Sequence, residues 1–333
     1  MRAIVCCSLA DYDNCHKNLV LKELPPPPLP EGAVRIAVHA AGVNFADSLT
    51  LQGRYQDKLE PPFIPGFEVS GVVLEINASD TPYRVGDRVM AITPNGGFAE
   101  ECVARTSDVW TIPNSMSFIQ AAGFPIAYGT SYYGLRVRAH LQAGDVLVVH
   151  GAAGGVGLTA VECGKILGAT VIATASNIAK LKMAAERGAH YLVDYQKDNV
   201  REKIKALTGG HGADVIYDPV GGELFKESLR VLAPNGRLLI VGFASGHIPQ
   251  IPANIMMVKN ISCIGFSFNA YRSIDPDGVR LAFTNLLTLF ANGDLRPPHI
   301  YCTLDFSEAS SAIKILLERR AIGKVILTTK KPS

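Results

Sequence analysis

The sequence predicts an α/β protein in which a β-rich first domain is followed by a doubly wound parallel sheet. Three observations support this prediction. Residues 34–40 alternate apolar and polar side chains, as a half-buried strand does. From Gly144 onward, strand-like and helix-like segments alternate, which is typical of a parallel sheet covered on both faces. A glycine-rich turn at residues 151–157 directly follows the apolar segment Val146–Val149.

The first third of the chain is predicted to be mainly β. Residues 69–76 and 88–92 are expected to form strands beside residues 34–40, with Gly, Pro and Asp turns between them. The apolar start is interrupted by Asp11 and Asp13, which favours a first strand over a signal peptide. The four prolines at 25–28 fit either a polyproline ligand or a stiff loop. We favour the loop because neither flank is of low complexity.

The middle of the chain predicts six strands and four helices in alternation. The expected strands are 146–149, 170–174, 191–193, 215–217, 237–241 and 261–266, and the expected helices are 158–167, 178–187, 200–207 and 223–232. The tail is expected to form helices at 281–291 and 307–319 and a strand at 324–327, and to pack back onto the first domain. We therefore predict one domain from residues 1–123 and 267–333 and a second from 124–266, with a cleft between them.

Bulk properties limit the class of protein. A chain of 333 residues is long enough for two domains, and 48% hydrophobic with 19% charged residues is typical of a globular protein. A formal charge of +2 gives no reason to expect nucleic acid or a membrane as the main partner. No apolar run approaches the roughly 20 residues of a membrane span. The seven scattered cysteines favour a reducing compartment, so we expect a cytoplasmic protein with a small-molecule substrate.

The glycine turn predicts a dinucleotide site. The spacing Ala152-x-Gly154-x-x-Gly157 departs from G-x-G-x-x-G at its first position, but its place between a strand and a helix makes it specific. Such a turn brings the backbone and a helix N-terminus close to a pyrophosphate. The predicted cofactor-binding residues here are Ala152, Gly154, Gly155, Val156 and Gly157. The alternative is a tight turn that binds no ligand.

The residues after the second strand of this domain bear on the choice between NAD and NADP. NAD sites place an acid about 20 residues after the glycine motif, whereas this chain has Ser176 and Asn177 there. The missing carboxylate permits a 2′-phosphate, to which Lys180 and Ser176 would donate. A hydrogen bond to a charged group contributes roughly 1.5–3 kcal/mol. The alternative for Lys180 is a solvated helix lysine. We predict NADPH.

Several short motifs give the chain a resemblance to a known family. They are the segments 42–47 (GVNFAD), 64–68 (IPGFE), 86–89 (GDRV), 128–130 (YGT), the glycine turn, 259–262 (KNIS) and 323–325 (GKV). In this order they resemble the medium-chain dehydrogenase/reductase superfamily, and within it the zinc-free NADPH:quinone oxidoreductase branch. The resemblance implies a GroES-like catalytic domain beside a Rossmann domain, NADPH as cofactor, and a homodimer with edge pairing near residues 261–266.

The resemblance also implies that zinc is absent. Where zinc members carry their cysteine, histidine and cysteine ligands, this chain has Asn44, Phe67 and Ala122. Catalytic zinc needs three protein ligands, and without that Lewis acid the oxidation of an alcohol becomes difficult. The implied reaction is reduction of an acceptor that is already electron-poor, namely a quinone or another conjugated carbonyl compound.

The family pattern assigns further cofactor residues. Lys180, Tyr195 and Arg320 match the lysine, tyrosine and arginine that hold the 2′-phosphate in quinone oxidoreductases, although the choice between Arg320 and the adjacent Arg319 is open. The segments around Gly242 and Phe243 and around Phe266 and Ser267 match those on the nicotinamide side. These assignments follow from the resemblance and are expectations.

At the reacting end we predict Asn44, Tyr55 and Thr130 as catalytic residues, with Asp47 and Tyr128 nearby. Asn44 offers one donor and one acceptor group, and Tyr55 or water would supply a proton. Structural roles for Asn44 and Tyr55 are about as well supported by the residues alone. A tyrosine that the family often carries five positions after the asparagine is replaced by Leu49, which makes the acceptor pocket more apolar. The histidines show no pairing pattern, and His150 is expected to pack at a strand end.

Two alternatives remain open. An enoyl-thioester reductase would share the fold and would need a basic patch for the phosphates of its substrate, for which Arg54, Arg136 and Arg138 are candidates. A non-catalytic NADPH-binding or RNA-binding protein belongs to another class. The modest net charge and the lack of a basic block argue against RNA as the main ligand.

Overall fold

The computed structural model describes residues 1–329, which divide into two contact units. Unit 1 comprises residues 1–126 and 296 onward, and unit 2 comprises residues 127–295. The strands are β1 (Arg2–Cys6), β2 (Leu19–Glu23), β3 (Ala33–Val43), β4 (Glu68–Asn77), β5 (Arg88–Ile92), β6 (Glu101–Arg105), β7 (Val109–Thr111), β8 (Val146–Val149), β9 (Thr170–Ala175), β10 (Tyr191–Asp194), β11 (Ala213–Asp218), β12 (Leu232–Ile240), β13 (Ser262–Gly265), β14 (Ile300–Asp305) and β15 (Lys324–Thr328).

The α-helices lie between these strands as the sequence pattern requires. They are α1 (Phe45–Leu51), α2 (Phe118–Ala122), α3 (Pro125–Tyr133), α4 (Gly155–Ile166), α5 (Ile178–Glu186), α6 (Val200–Leu207), α7 (Gly222–Val231), α8 (Ala253–Lys259), α9 (Phe268–Ile274), α10 (Pro276–Asn292) and α11 (Ala309–Leu317). A π-helical turn, Gly134–Arg138, extends α3. Within residues 1–329, every helix is too short or too polar to cross a bilayer.

Unit 1 is built on one large sheet, as its alternating pattern predicts. The strand order is β14-β15-β3-β4-β5-β7, with β6 also paired to β3, and β1 and β2 form a separate antiparallel pair. The central strand β3 is largely buried, and its core is continuous with the apolar face of α11. The C-terminal strand β15 pairs antiparallel with β3, so the end of the chain returns to the first unit as expected. The proline run lies outside regular structure, between β2 and β3, in agreement with the predicted loop.

Unit 2 is a six-stranded parallel sheet with the order β10-β9-β8-β11-β12-β13. This is the predicted doubly wound arrangement, and the strand order reverses between β8 and β11. Ligands of such sheets bind at the carboxyl ends of the strands at this reversal point. The six predicted strands are all present, with ends displaced by a few residues. Helix α4 begins at Gly155, three residues before the predicted start, because the last three residues of the glycine turn are already helical.

The boundaries of the contact units differ from the predicted domain boundaries mainly at one point. The first boundary lies after residue 126 rather than 123, whereas residues 267–295 belong to unit 2 and not to the first domain. The reason is aromatic packing: a Cβ on Gly129 would collide with Phe268, and the rings of Phe268 and Phe283 lie 6.4 Å apart. The hydroxyl of Tyr133 also donates to Asp275 at 2.6 Å. Helices α9 and α10 are therefore fixed to α3.

Candidate functional site

The glycine turn joins β8 to α4 through an unusually close backbone approach. Gly151 has a φ of +57°, which favours glycine, and Gly154 is the N-cap residue of α4. A Cβ on Gly157 would collide with the carbonyl oxygen of Gly151 and lie 3.0 Å from the Cα of Ala152. A Cβ on Gly154 would instead meet only the oxygen of Gly151, at 3.5 Å. Gly157 thus serves the packing of the helix on the strand, whereas Gly154 faces open space.

The start of α4 presents backbone donors to that space. The N–H groups of Gly155, Val156 and Gly157 are in the first helical turn, where no carbonyl of the helix can accept them. The first turn holds no acidic side chain, so the positive end of the helix is not neutralised locally. The N–H of Ala152 donates to Thr174 at 3.1 Å and ties the turn to β9. The arrangement has the properties of a phosphate-binding turn.

His150, just before the turn, has a structural role, as the sequence suggested. The side chain is fully buried, and its two ring nitrogens lie 2.9 Å from the Thr174 hydroxyl and 2.7 Å from the Ser228 hydroxyl. Burial lowers the pKa of His150 and favours the neutral ring. The imidazole therefore joins β8, β9 and α7 behind the glycine turn.

Three predicted phosphate-binding residues lie at the adjacent ends of β9 and β10. Ser176 follows β9, and the ammonium group of Lys180 lies 3.5 Å from its hydroxyl. The side chain of Asn177 caps α5 by accepting the N–H of Lys180 at 3.0 Å. The N–H of Tyr195 donates to Ala175 at 3.2 Å, which places Tyr195 beside the end of β9. The carboxylate of Asp194, which ends β10, accepts the N–H of Gln196 at 3.0 Å.

Arg320, the fourth predicted phosphate ligand, belongs to unit 1. Its Nε lies 2.7 Å from Glu318. Arg319 next to it has a φ of +55°. The assignment of either arginine to the 2′-phosphate stays a prediction.

Backbone N–H groups in the segments after β11 and β12 donate hydrogen bonds that organise both segments. The carboxylate of Asp218 accepts the N–H groups of Val220 and Gly221 at 2.8 and 2.9 Å. The N–H of Ala244 donates to Pro219 at 3.0 Å. Gly242 and Phe243, the first predicted nicotinamide-side pair, lie in this region. Phe243 is partly exposed, and a Cβ on Gly221 would contact its ring at 3.2 Å.

The second predicted nicotinamide-side pair and Thr130 occupy more buried positions. The ring of Phe266 lies parallel to that of Tyr133 with the centroids 6.0 Å apart, and the side chain of Ser267 caps α9. Thr130 is 7% exposed on α3. Tyr128, two residues earlier, is fully buried and donates to Glu162 at 2.7 Å, so its hydroxyl is engaged inside unit 2.

Unit 1 contains a buried polar cluster formed by Asn44, Glu68 and Lys324. The Asn44 amide nitrogen donates to Glu68 at 2.9 Å, and the Lys324 ammonium donates to the Asn44 side-chain oxygen at 2.7 Å. The same ammonium donates to Glu68 at 2.8 Å and to the Val43 carbonyl at 3.1 Å. The other Glu68 oxygen accepts the N–H of Ile126 at 2.9 Å. These bonds fix the orientation of the Asn44 amide.

Sequence reasoning singled out Asn44 but missed Glu68 and Lys324. Both lie in segments that carried the family resemblance, and each is a single charge within an apolar stretch. A single charge within an apolar stretch indicates a buried charge, and a buried charge needs a partner of opposite sign. The partner lies 256 residues away along the chain, which no local pattern reveals.

The side chain of Asp47 stabilises the turn between β3 and α1 in which Asn44 lies. Its carboxylate accepts the N–H of Asn44 at 2.7 Å and that of Gly66 at 3.1 Å. Burial raises the pKa of Asp47 to about 7, and the two backbone donors and Lys324 only partly oppose this effect. Asp47 therefore anchors the residue that was predicted to be catalytic.

Tyr55 and Phe67 form an aromatic pair in unit 1, with ring centroids 5.1 Å apart and planes tilted by 47°. Tyr55 is partly exposed, and Phe67 is 6% exposed. A Cβ on Gly42 would collide with both the Ala122 carbonyl and the Glu68 carboxylate, so Ala122 lies close to the polar cluster. In residues 1–329, no group of three or more His, Cys, Asp or Glu side chains is arranged to hold a metal ion.

The two glycines of the turn should respond differently to alanine. We expect Gly157→Ala to lower the free energy of unfolding by about 1–3 kcal/mol, because the backbone must move to accept the methyl group. Gly154→Ala should cost no more than about 1 kcal/mol, the usual loss at an N-cap. Urea denaturation followed by circular dichroism measures both. Equal losses would contradict the contact between residues 157 and 151.

Asp47 should make stability depend on pH. Its pKa in the folded state is about 7, above the ordinary value of about 3.9 in the unfolded chain. The folded state therefore holds the extra proton between these values, and the free energy of unfolding should fall as pH rises from about 4 to 7, by up to about 1.4 kcal/mol per pH unit. Asp47→Asn should remove this slope. The measurement is urea denaturation of both proteins at several pH values, and parallel curves would contradict the assignment.

Comparisons with known proteins agree with this architecture. Residues 30–124 match the alcohol dehydrogenase GroES-like domain, and residues 155–284 match the zinc-binding dehydrogenase family model. The chain is 45% identical to a quinone oxidoreductase-like protein 2 homolog from Nematostella vectensis over 90% of this chain and 82% of that protein.

Solved structures are also similar over nearly the whole chain. The Escherichia coli quinone oxidoreductase complexed with NADPH has a TM-score of 0.90 and 26% identity, and the match covers 98% of this chain and 100% of that one. The CurK enoyl reductase has a TM-score of 0.86 and 26% identity over 98% and 99% of the two chains. The chain therefore belongs to the quinone oxidoreductase branch of the medium-chain dehydrogenase/reductase superfamily.

Proposed function

We propose that this protein is an NADPH-dependent reductase of quinones or other conjugated carbonyl compounds and that it works without zinc. The observation that carries the proposal is the arrangement at the ends of β8 and β9. A glycine turn with open space at Gly154 lies at a helix N-terminus, beside a strand that is followed by Ser176 rather than an acid, and the Lys180 ammonium lies 3.5 Å from the Ser176 hydroxyl. NADPH in the related E. coli structure supports the same cofactor here.

The residues present fit such a cofactor. Gly154 leaves space that a side chain would fill, and the free N–H groups of Gly155, Val156 and Gly157 suit the pyrophosphate. Ser176, Lys180 and Tyr195 would hold the 2′-phosphate, and Gly242, Phe243, Phe266 and Ser267 are proposed for the nicotinamide side. Bound NADPH supplies a hydride, and with one proton from water or Tyr55 the two-electron reduction of a quinone to a hydroquinone is balanced.

The polar cluster of unit 1 suits a positioning role for Asn44 without metal. Its amide is oriented by Glu68 and Lys324 and is 9% exposed, so little conformational freedom is lost when it contacts a ligand. An ammonium group already occupies the acceptor side of this amide, and the residue at the family's histidine-ligand position is Phe67. These donors do not form a zinc ligand set. We propose that Asn44 and Tyr55 contact the acceptor, with Thr130 as a third candidate.

An enoyl-thioester reductase is the second candidate, favoured by the similarity to the CurK enoyl reductase. The basic patch expected for its substrate finds less support. The guanidinium group of Arg136 lies over the ring of Tyr132, and that of Arg138 lies over Tyr271, at 5.8 and 5.2 Å from the ring centroids. Two of the three candidate arginines are therefore engaged with aromatic rings.

We also propose that the protein is a cytoplasmic homodimer. Within residues 1–329, β13 pairs on one side only, with β12, and its outer edge is available for a second copy. All seven cysteines are free thiols, which suits a reducing compartment.

The experiment that tests the reaction is NADPH oxidation by the purified protein. We expect turnover with 9,10-phenanthrenequinone and 1,4-benzoquinone exceeding that with crotonyl-CoA. Metal analysis of the same sample should show no stoichiometric zinc, and a chelator should leave the rate unchanged. Turnover of crotonyl-CoA alone would favour the thioester reductase, and NADPH binding without turnover of any acceptor would contradict both enzymes. One zinc per chain would contradict the metal-free mechanism.

Lys180 should determine the preference for NADPH. Lys180→Ala removes a cation from the proposed 2′-phosphate site and should raise the KM for NADPH by about one to two decades, because a charged hydrogen bond contributes roughly 1.5–3 kcal/mol. The KM for NADH should change little. Lys182→Ala, an exposed position on the same helix, is the matched control. Equal changes for both cofactors would remove Lys180 from the phosphate site.

A further inference from the structure

Unit 2 contains a basic cavity that the proposed reduction does not use. Its volume is about 350 Å³. The residues that line it are Arg201, Lys205, Gly210, His211, Arg230, Val231, Leu232 and Lys259. Gly210 and His211 precede β11, Leu232 begins β12, and Lys259 precedes β13, so the cavity lies at the amino ends of these strands. The glycine turn follows the carboxyl end of β8 in the same parallel sheet and is therefore at the opposite edge.

The charge of the cavity is strongly one-sided. Arg201 and Lys205 are one turn apart on α6, Arg230 lies in the last turn of α7, and Lys259 ends α8. Among the described residues that line the cavity, none is acidic. The whole chain has a formal charge of only +2, so four cations around one cavity are a local concentration. Such a cluster is unfavourable unless an anion or solvent compensates it.

The side chain of Lys259 is fixed beside the cavity by hydrogen bonds to backbone carbonyl groups. Its ammonium donates to the carbonyls of Leu229 and Leu232 at 2.8 and 2.9 Å, at the end of α7. Burial lowers the pKa of Lys259, and the charges of Lys205 and Arg201 lower it further. The nearby imidazole of His211 lies 2.9 Å from Asp214, whose other oxygen accepts the N–H of Val146. The carboxylate next to the cavity is thus engaged by His211 and β8.

We propose that this cavity is a second anion site, which binds a compact ligand carrying linked phosphate groups. Two guanidinium groups and two ammonium groups suit the several oxygens of a diphosphate, and arginine pairs with phosphate through two parallel hydrogen bonds. The volume is at the lower end of small-molecule sites. None of the described lining residues is Phe, Tyr or Trp, and the imidazole of His211 is engaged with Asp214, so the cavity offers no large ring on which a base could stack. Recognition rests on the phosphates, which favours a small polyphosphate over RNA.

The test is a calorimetric titration of the 333-residue chain with inorganic pyrophosphate at about 0.15 M ionic strength. Saturating NADPH is included to occupy the glycine turn, and sodium sulfate of equal ionic strength is titrated in parallel. We expect one pyrophosphate per chain, with sulfate at least tenfold weaker. Arg201→Gln/Lys205→Gln should weaken pyrophosphate binding at least tenfold, and Arg230→Gln should weaken it in a separate protein. Circular dichroism shows whether each variant is folded.

The matched control is Lys203→Gln/Lys22→Gln, which also removes two positive charges. Lys203 is an exposed residue of the same helix that does not line the cavity, and Lys22 is exposed on β2. At about 0.15 M ionic strength this variant should bind pyrophosphate within about twofold of the wild type, because exposed charges that do not line the cavity are then largely screened. Equal losses in the two double variants, or no pyrophosphate binding by the wild type, would overturn the proposal. Binding of single-stranded RNA through Arg201 and Lys205 without pyrophosphate binding would overturn it in favour of a nucleic-acid surface.

Discussion

Between the carbonyl oxygen of Gly151 and the Cα of Gly157 there is no room for a methyl group. This contact allows α4 to start directly above the end of β8, at the point where the strand order of unit 2 reverses. The direction of the helix, and with it the free N–H groups of its first turn, follows from that approach. A side chain at residue 157 would separate helix and strand, and the backbone donors at the start of α4 would lose their fixed position. The departure from the glycine pattern at Ala152 is tolerated because the left-handed backbone conformation of the turn is at Gly151, and the N–H of Ala152 still pairs with Thr174.

In the buried cluster of unit 1, the positions of the side chains are fixed by hydrogen bonds between opposite charges rather than by a close backbone contact. Glu68 is fully buried and Lys324 is 3% exposed, so each charge would be costly without the other. All three ammonium hydrogens can be accounted for by Val43, Asn44 and Glu68. The cluster joins β15, β3 and β4 and leaves the Asn44 amide in one orientation. If either charge were lost, the remaining one would be buried without a partner. The Asn44 amide would also lose one of the two side chains that orient it.

The sequence predicts those features that depend on local pattern. Strands β5 and β8 and helix α6 have the predicted ends, because alternating or periodic apolar residues and clear turn signals bound them. The Ser176–Lys180 pair was also predictable, since four residues across a capped helix start bring the two side chains together. Glu68 and Lys324 were not recognised because their partnership depends on a pairing of distant strands. The contact units place residues 267–295 with unit 2 rather than with the first predicted domain, for a similar reason. The contact of Phe268 with Gly129 is set by tertiary packing, and the helical pattern around Gly129 does not indicate which ring will pack against it.

The electrostatics of unit 2 follow from the direction of its strands. At the carboxyl edge, positive potential comes from a helix N-terminus and from Lys180, and at the amino edge it comes from Arg201, Lys205, Arg230 and Lys259 side chains. The amino edge also receives the C-terminus of α7, whose carbonyls carry partial negative charge and attract Lys259. That attraction explains one cation of the cavity, because a lysine at a helix C-terminus stabilises it. It does not explain Arg201 and Lys205 on α6, which face the same cavity and oppose the charge of Lys259. Placing them there costs stability in the absence of a ligand, and a polyphosphate would offset this cost.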